Sequence, residues 1–223
     1  MLILHYTGMA DAVRACSWLC DPVSKVSCHY LVDEQGGIIQ MVDESLRAWH
    51  AGISSWKSED DINSCSIGIE IQNPGHTAGY PDFPEVQMRA VVALCKDIVT
   101  RNNIPALRVL AHSDIAPLRK IDPGEKFDWR FLHRNGIGYL VKPEPVDGGT
   151  FLQLGDVGQP VETLQTMLKL YGYGVAITGN YDALTHATVR ALQLHFRQSR
   201  VDGIADTSTV ATLHRLLQGI DEP

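Results

Sequence analysis

The sequence predicts a mixed α/β or α+β domain followed by a small three-helix domain, and three observations carry that reading. Short apolar runs of strand character alternate with helical periodicity over the first 140 residues or so; a Pro- and Gly-rich stretch follows; beyond it the apolar spacing is helical throughout. These shifts divide the chain into residues 1–140, a linker at 141–150 and residues 151–223.

The first strand candidate is Leu2–Tyr6, and a helix is expected from Ala10 to about Cys20. Strands at His29–Asp33 and Ile38–Val42 flank Asp33-Glu-Gln-Gly-Gly37, a hairpin signal because glycine supplies the positive φ of a tight turn. Ile67–Gln72 alternates strictly, sending Ile67, Ile69 and Ile71 to one face and Gly68, Glu70 and Gln72 to the other. Pro84–Asn102 reads as a helix with proline at its start and an apolar stripe through Val91, Leu94, Cys95 and Ile98. Arg108–Ala111 is the last strand candidate of the first domain. Lys142-Pro-Glu-Pro-Val-Asp-Gly-Gly149 reads as an extended linker. After it, Val161, Leu164, Gln165 and Leu168 mark one helix, Ala187, Ala191, Leu194 and Phe196 a second, and Val210, Leu213, Leu216 and Leu217 a third. Glycine turns at 171–174, 178–180 and 202–203 separate them. So small a domain has little core of its own, which favours a tethered binding module over a second active site.

Composition narrows the function classes. The 223 residues, 44% hydrophobic and 20% charged, are those of a globular chain. With 19 basic against 26 acidic residues the formal charge is −7, so the electrostatic footprint of a nucleic-acid or anionic-membrane binder is missing. No apolar run approaches the roughly 18 residues of a membrane span. The first cation is Arg14, so no secretory signal is visible at the N-terminus. Five cysteines, an odd number without a CxxC, fit reduced thiols, with Cys16 and Cys20 sharing a helix face as two small core residues. Cys28 and His29 are strand neighbours pointing to opposite faces, which argues against a thiol–imidazole dyad.

Several residues could carry chemistry. Glu70 leaves the core face of its strand beside Gly68, and a glycine inside a strand often marks something approaching the sheet closely. His5 lies near the end of the first strand, and His112 ends another apolar strand before a proline-containing loop. In that loop Lys120 and Asp122 alternate about Ile121 and would face the same way if extended. Asp122 is also accounted for by Asp-Pro-Gly turn chemistry, and Asp114 is a similar competitor. Two imidazoles and one carboxylate form the ligand set of a catalytic zinc site, although spacing alone does not bring these three together.

In combination the strings Leu-His5-Tyr-Thr, Val-Ser-Cys-His29-Tyr, Ala-Trp49-His50-Ala-Gly, Ile-Gly-Ile-Glu70-Ile, His112-Ser-Asp-Ile-Ala-Pro and Arg-Lys120-Ile-Asp122-Pro-Gly resemble the zinc-dependent N-acetylmuramoyl-L-alanine amidases of the AmpD and AmiD type. The resemblance implies a central mixed sheet flanked by helices, Zn2+ on His5, His112 and Asp122, and a catalytic pair of Glu70 and Lys120. It places Trp49 and His50 along the substrate cleft, with Asn73 and His29 as further substrate contacts. The C-terminal residues, from Leu154-Gly-Asp-Val-Gly through Gly179-Asn-Tyr-Asp182 to Leu213, are similar to a three-helix peptidoglycan-binding module, with Leu192-Gln193 where Phe-Gln is common. The implied reaction is hydrolysis of the amide between the lactyl group of N-acetylmuramic acid, including its 1,6-anhydro form, and L-alanine. The implied partner is peptidoglycan or a muropeptide; the alternative is a non-catalytic peptidoglycan recognition protein. The cell envelope is expected if a signal once lay upstream of Met1, and the cytoplasm if Met1 is the true start.

Overall fold

The structure, a computed structural model, describes residues 1–146 and 148–220; Asp147 of the expected linker lies outside the described residues. Five strands form a mixed sheet: β1 (Leu2–Tyr6), β2 (Tyr30–Val32), β3 (Ile38–Gln40), β4 (Ile67–Ile71) and β5 (Val109–Ala111). Their order is β3-β2-β4-β1-β5, with every pairing parallel except that of β2 with edge strand β3. The interior strand β1 is flanked by β4 and β5, in a register that sets Ile3 beside Gly68 and His5 beside Glu70. Pleating then does the sorting. Leu2, Leu4, Ile67, Ile69 and Ile71 pack with the stripe Val91, Leu94, Cys95 and Ile98 of α2 (Glu85–Arg101), while His5 and Glu70 emerge on the opposite face.

On that opposite side lies α1 (Ala12–Leu19), which starts two residues later than the apolar pattern suggests because Asp11 takes the N-cap and accepts from the Arg14 amide at 2.8 Å. Only Ala15 of α1 is fully buried, so the expectation that Cys16 and Cys20 are core residues is corrected: Cys16 is half-buried and Cys20 exposed. All five cysteines are free thiols. β5 runs directly into the single turn α3 (His112–Ile115), and α4 (Trp129–Arg134), which periodicity did not reveal, closes the domain.

The C-terminal half holds α5 (Gln159–Tyr171), α6 (Ala183–Phe196) and α7 (Thr207–Gln218), with a short ladder between β6 (Phe151–Leu152) and β7 (Ala205–Asp206). One device occurs twice. Buried Gln165 accepts from the Thr178 and Gly179 amides and donates to Asn180 O; buried Gln193 accepts from the Asp202 and Gly203 amides and donates to Ile204 O. Each clamped turn leads to an aspartate, Asp182 or Asp206, that caps the next helix through the amide of Thr185 or Thr209. The glutamine kept in Leu192-Gln193 is therefore the part of that motif that holds a turn.

The stretch expected as an extended linker is pinned, and the two halves share a core. Residues 141–146 form no regular element but are pinned, with Glu144 O accepting from the Ser208 hydroxyl and the Glu144 amide donating to Thr212 Oγ1. Ile3, Trp56, Leu110 and Ile115 of the first half pack in one continuous core with Leu168, Tyr173, Leu192 and Phe196 of the second. The Lys57 amide donates to Gly172 O at 2.8 Å, and a Cβ on Gly172 would sit 2.7 Å from the Trp56 ring. The small three-helix unit completes its core on the sheet domain.

Candidate metal and catalytic site

Three elements meet at the C-terminal end of β1. Its alternation delivers His5; β5 hands over to α3, whose first residue is His112; the loop after α3 returns with Lys120 and Asp122. The Ser113 amide donates to Asp122 O at 3.0 Å, tying the last two together. His5 Nδ1, His112 Nδ1 and Asp122 Oδ2 all lie within 4.8 Å of one another, and all three residues are buried. The individual separations are 2.8 Å between the imidazole nitrogens, 3.0 Å from His112 to Asp122 and 3.3 Å from His5 to Asp122.

For neutral rings, the surrounding hydrogen bonds assign the ring hydrogens. The Ser66 hydroxyl donates to Ile62 O at 2.6 Å, so toward His50 its oxygen accepts, and His50 Nε2 carries the hydrogen at 3.2 Å. His50 Nδ1 is then a lone pair that accepts from His5 Nε2–H at 3.0 Å, which leaves His5 Nδ1 unprotonated. In the same way His112 Nε2–H donates to Ala51 O at 3.2 Å and leaves its Nδ1 bare. Two imidazole lone pairs and a carboxylate oxygen thus face one another with no hydrogen among them, a repulsive arrangement that a cation relieves. Burial, then the neighbouring His112, brings the His5 imidazole down to about 4, so it is neutral at pH 7, the form in which it binds a metal. Burial would push the Asp122 carboxyl up, but the charge and hydrogen bonds of His112 and His5, when these rings are protonated, more than reverse this and hold it below the usual carboxylate range.

A cavity of about 250 Å³ opens on this cluster, lined by Tyr6, Thr7, Trp18, Glu70, Lys120 and Asp122 among others. One carboxylate oxygen of Glu70, Oε2, is buried without a hydrogen-bond partner. Burial pushes the Glu70 carboxyl well above its ordinary range, Asp122 adds to this, and Lys120 opposes it. A buried acceptor left unpaired costs stability and marks a group placed for something other than packing.

The structure brings together six of the residues that sequence suggests: His50, Glu70, His112, Lys120 and Asp122 line the cavity, and His5 stands behind them against His112, Asp122 and His50. Trp49, 54% exposed, stands in an adjoining hollow that shares His50, His112 and Lys120 with the cavity. His29 and Asn73 are not brought to it. His29 Nδ1 accepts from the Gly68 amide at 3.0 Å and its Nε2–H donates to Leu46 O at 3.1 Å, so both ring nitrogens are committed to the scaffold. The Asn73 amide bridges Pro81 O and the Gly75 amide and shapes a turn. The approach that Gly68 permits is made by the protein itself: a Cβ there would lie 2.4 Å from His50 Cγ. Residues missed in the sequence are Ser66, which directs the histidine chain, and Asn63, whose Oδ1 accepts from the His50 and Ala51 amides. Neither stands in a pattern that marks it out.

Residues 1–125 match the family model described as N-acetylmuramoyl-L-alanine amidase, and residues 157–213 match that of a peptidoglycan binding domain. N-acetylmuramoyl-L-alanine amidase AmiD of Escherichia coli K12 is 37% identical over 233 residues, covering 98% of this chain and 82% of that protein. The 1,6-anhydro-N-acetylmuramyl-L-alanine amidase AmpD of Citrobacter freundii is 40% identical over 105 residues, 47% of this chain and 54% of that protein, so the chain spans about half of AmpD. The solved complex of E. coli AmiD with anhydro-N-acetylmuramic acid-L-Ala-D-γ-Glu-L-Lys superimposes with a TM-score of 0.86 at 34% identity, covering 100% of this chain and 90% of that one. AmpDh3 of Pseudomonas aeruginosa in complex with an anhydromuramic pentapeptide gives 0.81 at 30% identity, covering 99% and 91%.

Proposed function

The chain belongs to the N-acetylmuramoyl-L-alanine amidase family, and on that premise we propose that it is a zinc enzyme cleaving the amide between the lactyl carbonyl of N-acetylmuramic acid and L-alanine of the stem peptide. Soluble 1,6-anhydro-muropeptides are suitable substrates, since the AmiD and AmpDh3 structures that this chain resembles hold such molecules. The observation that carries the reading is the meeting of three hydrogen-free donor atoms with the partnerless Glu70 oxygen on one cavity.

His5, His112 and Asp122 would hold the ion, and two imidazoles with one carboxylate suit zinc. Zinc bound there supplies the Lewis acidity that makes water a nucleophile near neutral pH. Glu70, with an oxygen free and its carboxyl raised, takes the proton of the attacking water and returns it to the departing alanine nitrogen. Without that proton the amine is too poor a leaving group for the tetrahedral adduct to collapse forward. Lys120 places its ammonium on the same cavity, where charge develops on the carbonyl oxygen. Trp49 offers an exposed indole beside the cavity as a platform for the apolar face of a sugar.

The test combines metal analysis with release of L-alanyl peptide from a soluble anhydro-muropeptide. One equivalent of zinc and peptide release are expected of the parent, zinc without turnover of Glu70→Ala, and neither of His5→Ala. Turnover at the parent rate by Glu70→Ala would remove the role given to that carboxylate.

A further inference from the structure

The single turn α3 carries His112 at its first position and Asp114 at its third. A one-turn helix cannot sustain itself, because its nucleus costs more than its few hydrogen bonds return. Its local support is Asp114, whose Oδ2 accepts from the Ala111 amide at 2.8 Å, the residue immediately before His112. Asp114 is wholly buried, and its remaining bonds come from the other half of the molecule. The Tyr173 hydroxyl donates to Oδ1 at 2.8 Å, and His195 Nδ1–H donates to Oδ2 at 2.7 Å. These donors are themselves fixed: His195 is stacked between Trp129 at 3.7 Å and Phe196 at 3.9 Å, and Tyr173 lies edge-on to Trp56 at 5.1 Å. Without them a buried carboxylate would turn toward water or toward other donors and release the Ala111 amide.

We infer that the C-terminal domain is a structural half of the metal site: Tyr173 and His195 are positioning residues that lock Asp114 and, through the α3 turn, aim the His112 imidazole. The inference rests on the metal site proposed above and goes beyond it, because it gives the helical domain a part in the chemistry independent of any wall binding.

The experiment measures zinc affinity of the full-length protein by competition with a chromophoric chelator, alongside circular-dichroism melting and the kinetics of a soluble anhydro-muropeptide. Tyr173→Phe combined with His195→Leu should weaken zinc binding by about tenfold or more, the usual scale for losing support behind a ligand. In that variant kcat should fall while KM holds. His195→Asn keeps an N–H where Nδ1 stands and should restore affinity to within about threefold of the parent. Gln198→Ala breaks a different interface bond, to Phe127 O at 2.8 Å, and should lower the melting temperature without touching zinc affinity. If the double variant does not fold, Tyr173→Phe alone, which loses one hydroxyl, must still weaken zinc measurably. Parent-like zinc affinity in the folded double variant, or in Tyr173→Phe when only that variant folds, overturns the inference. So does equal weakening by Gln198→Ala. A parent protein that binds no zinc overturns the metal site and this inference together, which separates the two failures.

Discussion

Gly68→Ala tests the histidine chain with one methyl group. The added Cβ would stand 2.4 Å from His50 Cγ, 2.6 Å from Nδ1 and 2.7 Å from Cδ2, where ordinary contact begins at 3.4 Å. The strand cannot yield easily, because β4 is bonded to β1 on one side and β2 on the other. The ring must therefore retreat by about 1 Å, which stretches its 3.0 Å bond to His5 past the limit of a useful hydrogen bond. Overpacking of this kind costs about 1–3 kcal/mol and the buried bond about 1 kcal/mol more, against at most ~1 kcal/mol gained by replacing a strand glycine. The net loss of about 1–3 kcal/mol corresponds to a fall in melting temperature of roughly 2–12 °C for a chain of this size. With His5 no longer held, zinc affinity should drop about 10- to 100-fold. Differential scanning calorimetry of the metal-free protein and a chelator competition measure the two effects. A variant that melts with the parent and binds zinc equally well would show that the contact between His50 and β4 positions nothing.

Three further outcomes follow from the same geometry. Glu70→Gln should abolish turnover yet raise the melting temperature of the metal-free protein at pH 7 by a few degrees. The folded-state pKa of Glu70 is raised above the ordinary 4.5, so its contribution to stability is full below 4.5 and lost as pH rises; a melting temperature unchanged or lowered in Glu70→Gln would refute this. His5 has the opposite sign. Its folded value of about 4 lies below the ordinary 6.5, so its contribution is full above 6.5 and disappears toward 4, and metal-free protein should lose stability across that window. Zinc should be released in the same window, followed by equilibrium dialysis at stepped pH, and full retention at pH 4 would count against His5 as a ligand. Lys120→Met should cost about a hundredfold or more in kcat with zinc content unchanged, and loss of zinc instead would assign Lys120 a structural part.

The sheet and most of the cavity were legible because both depend on short-range periodicity. Strict alternation in Ile67-Gly-Ile-Glu-Ile71 sent Glu70 away from α2, and the same rule in β1 sent His5 after it. What the chain order hides is whatever is made by groups far apart along it. Tyr173 and His195 reach Asp114 across 59 and 81 positions, and nothing near Asp114 announces either. His195 sits between buried Leu194 and Phe196, where a polar residue is the one local hint that a partner waits in the other domain. His29 shows the converse limit, since the family resemblance makes it a substrate contact until its two ring nitrogens are traced to Gly68 and Leu46. Asp11 moved the start of α1 for a reason written in the sequence, an N-cap aspartate, which apolar spacing alone overlooks.

The core common to both halves changes what it means to shorten this protein. A chain ended near Pro143 would expose Trp56, Leu110 and Ile115 and leave Asp114 with neither Tyr173 nor His195. Such a truncation is less the removal of a wall anchor than a lesion beside His112, and poor activity in it would say little about wall binding. Cassette exchange meets the same obstacle: a foreign helical module grafted after residue 150 would have to bring a hydroxyl and an imidazole to the same carboxylate. Surface substitutions in the groove between α5 and α7, about 900 Å³ and not lined by Asp114, Tyr173 or His195, are the cleaner way to separate attachment from hydrolysis.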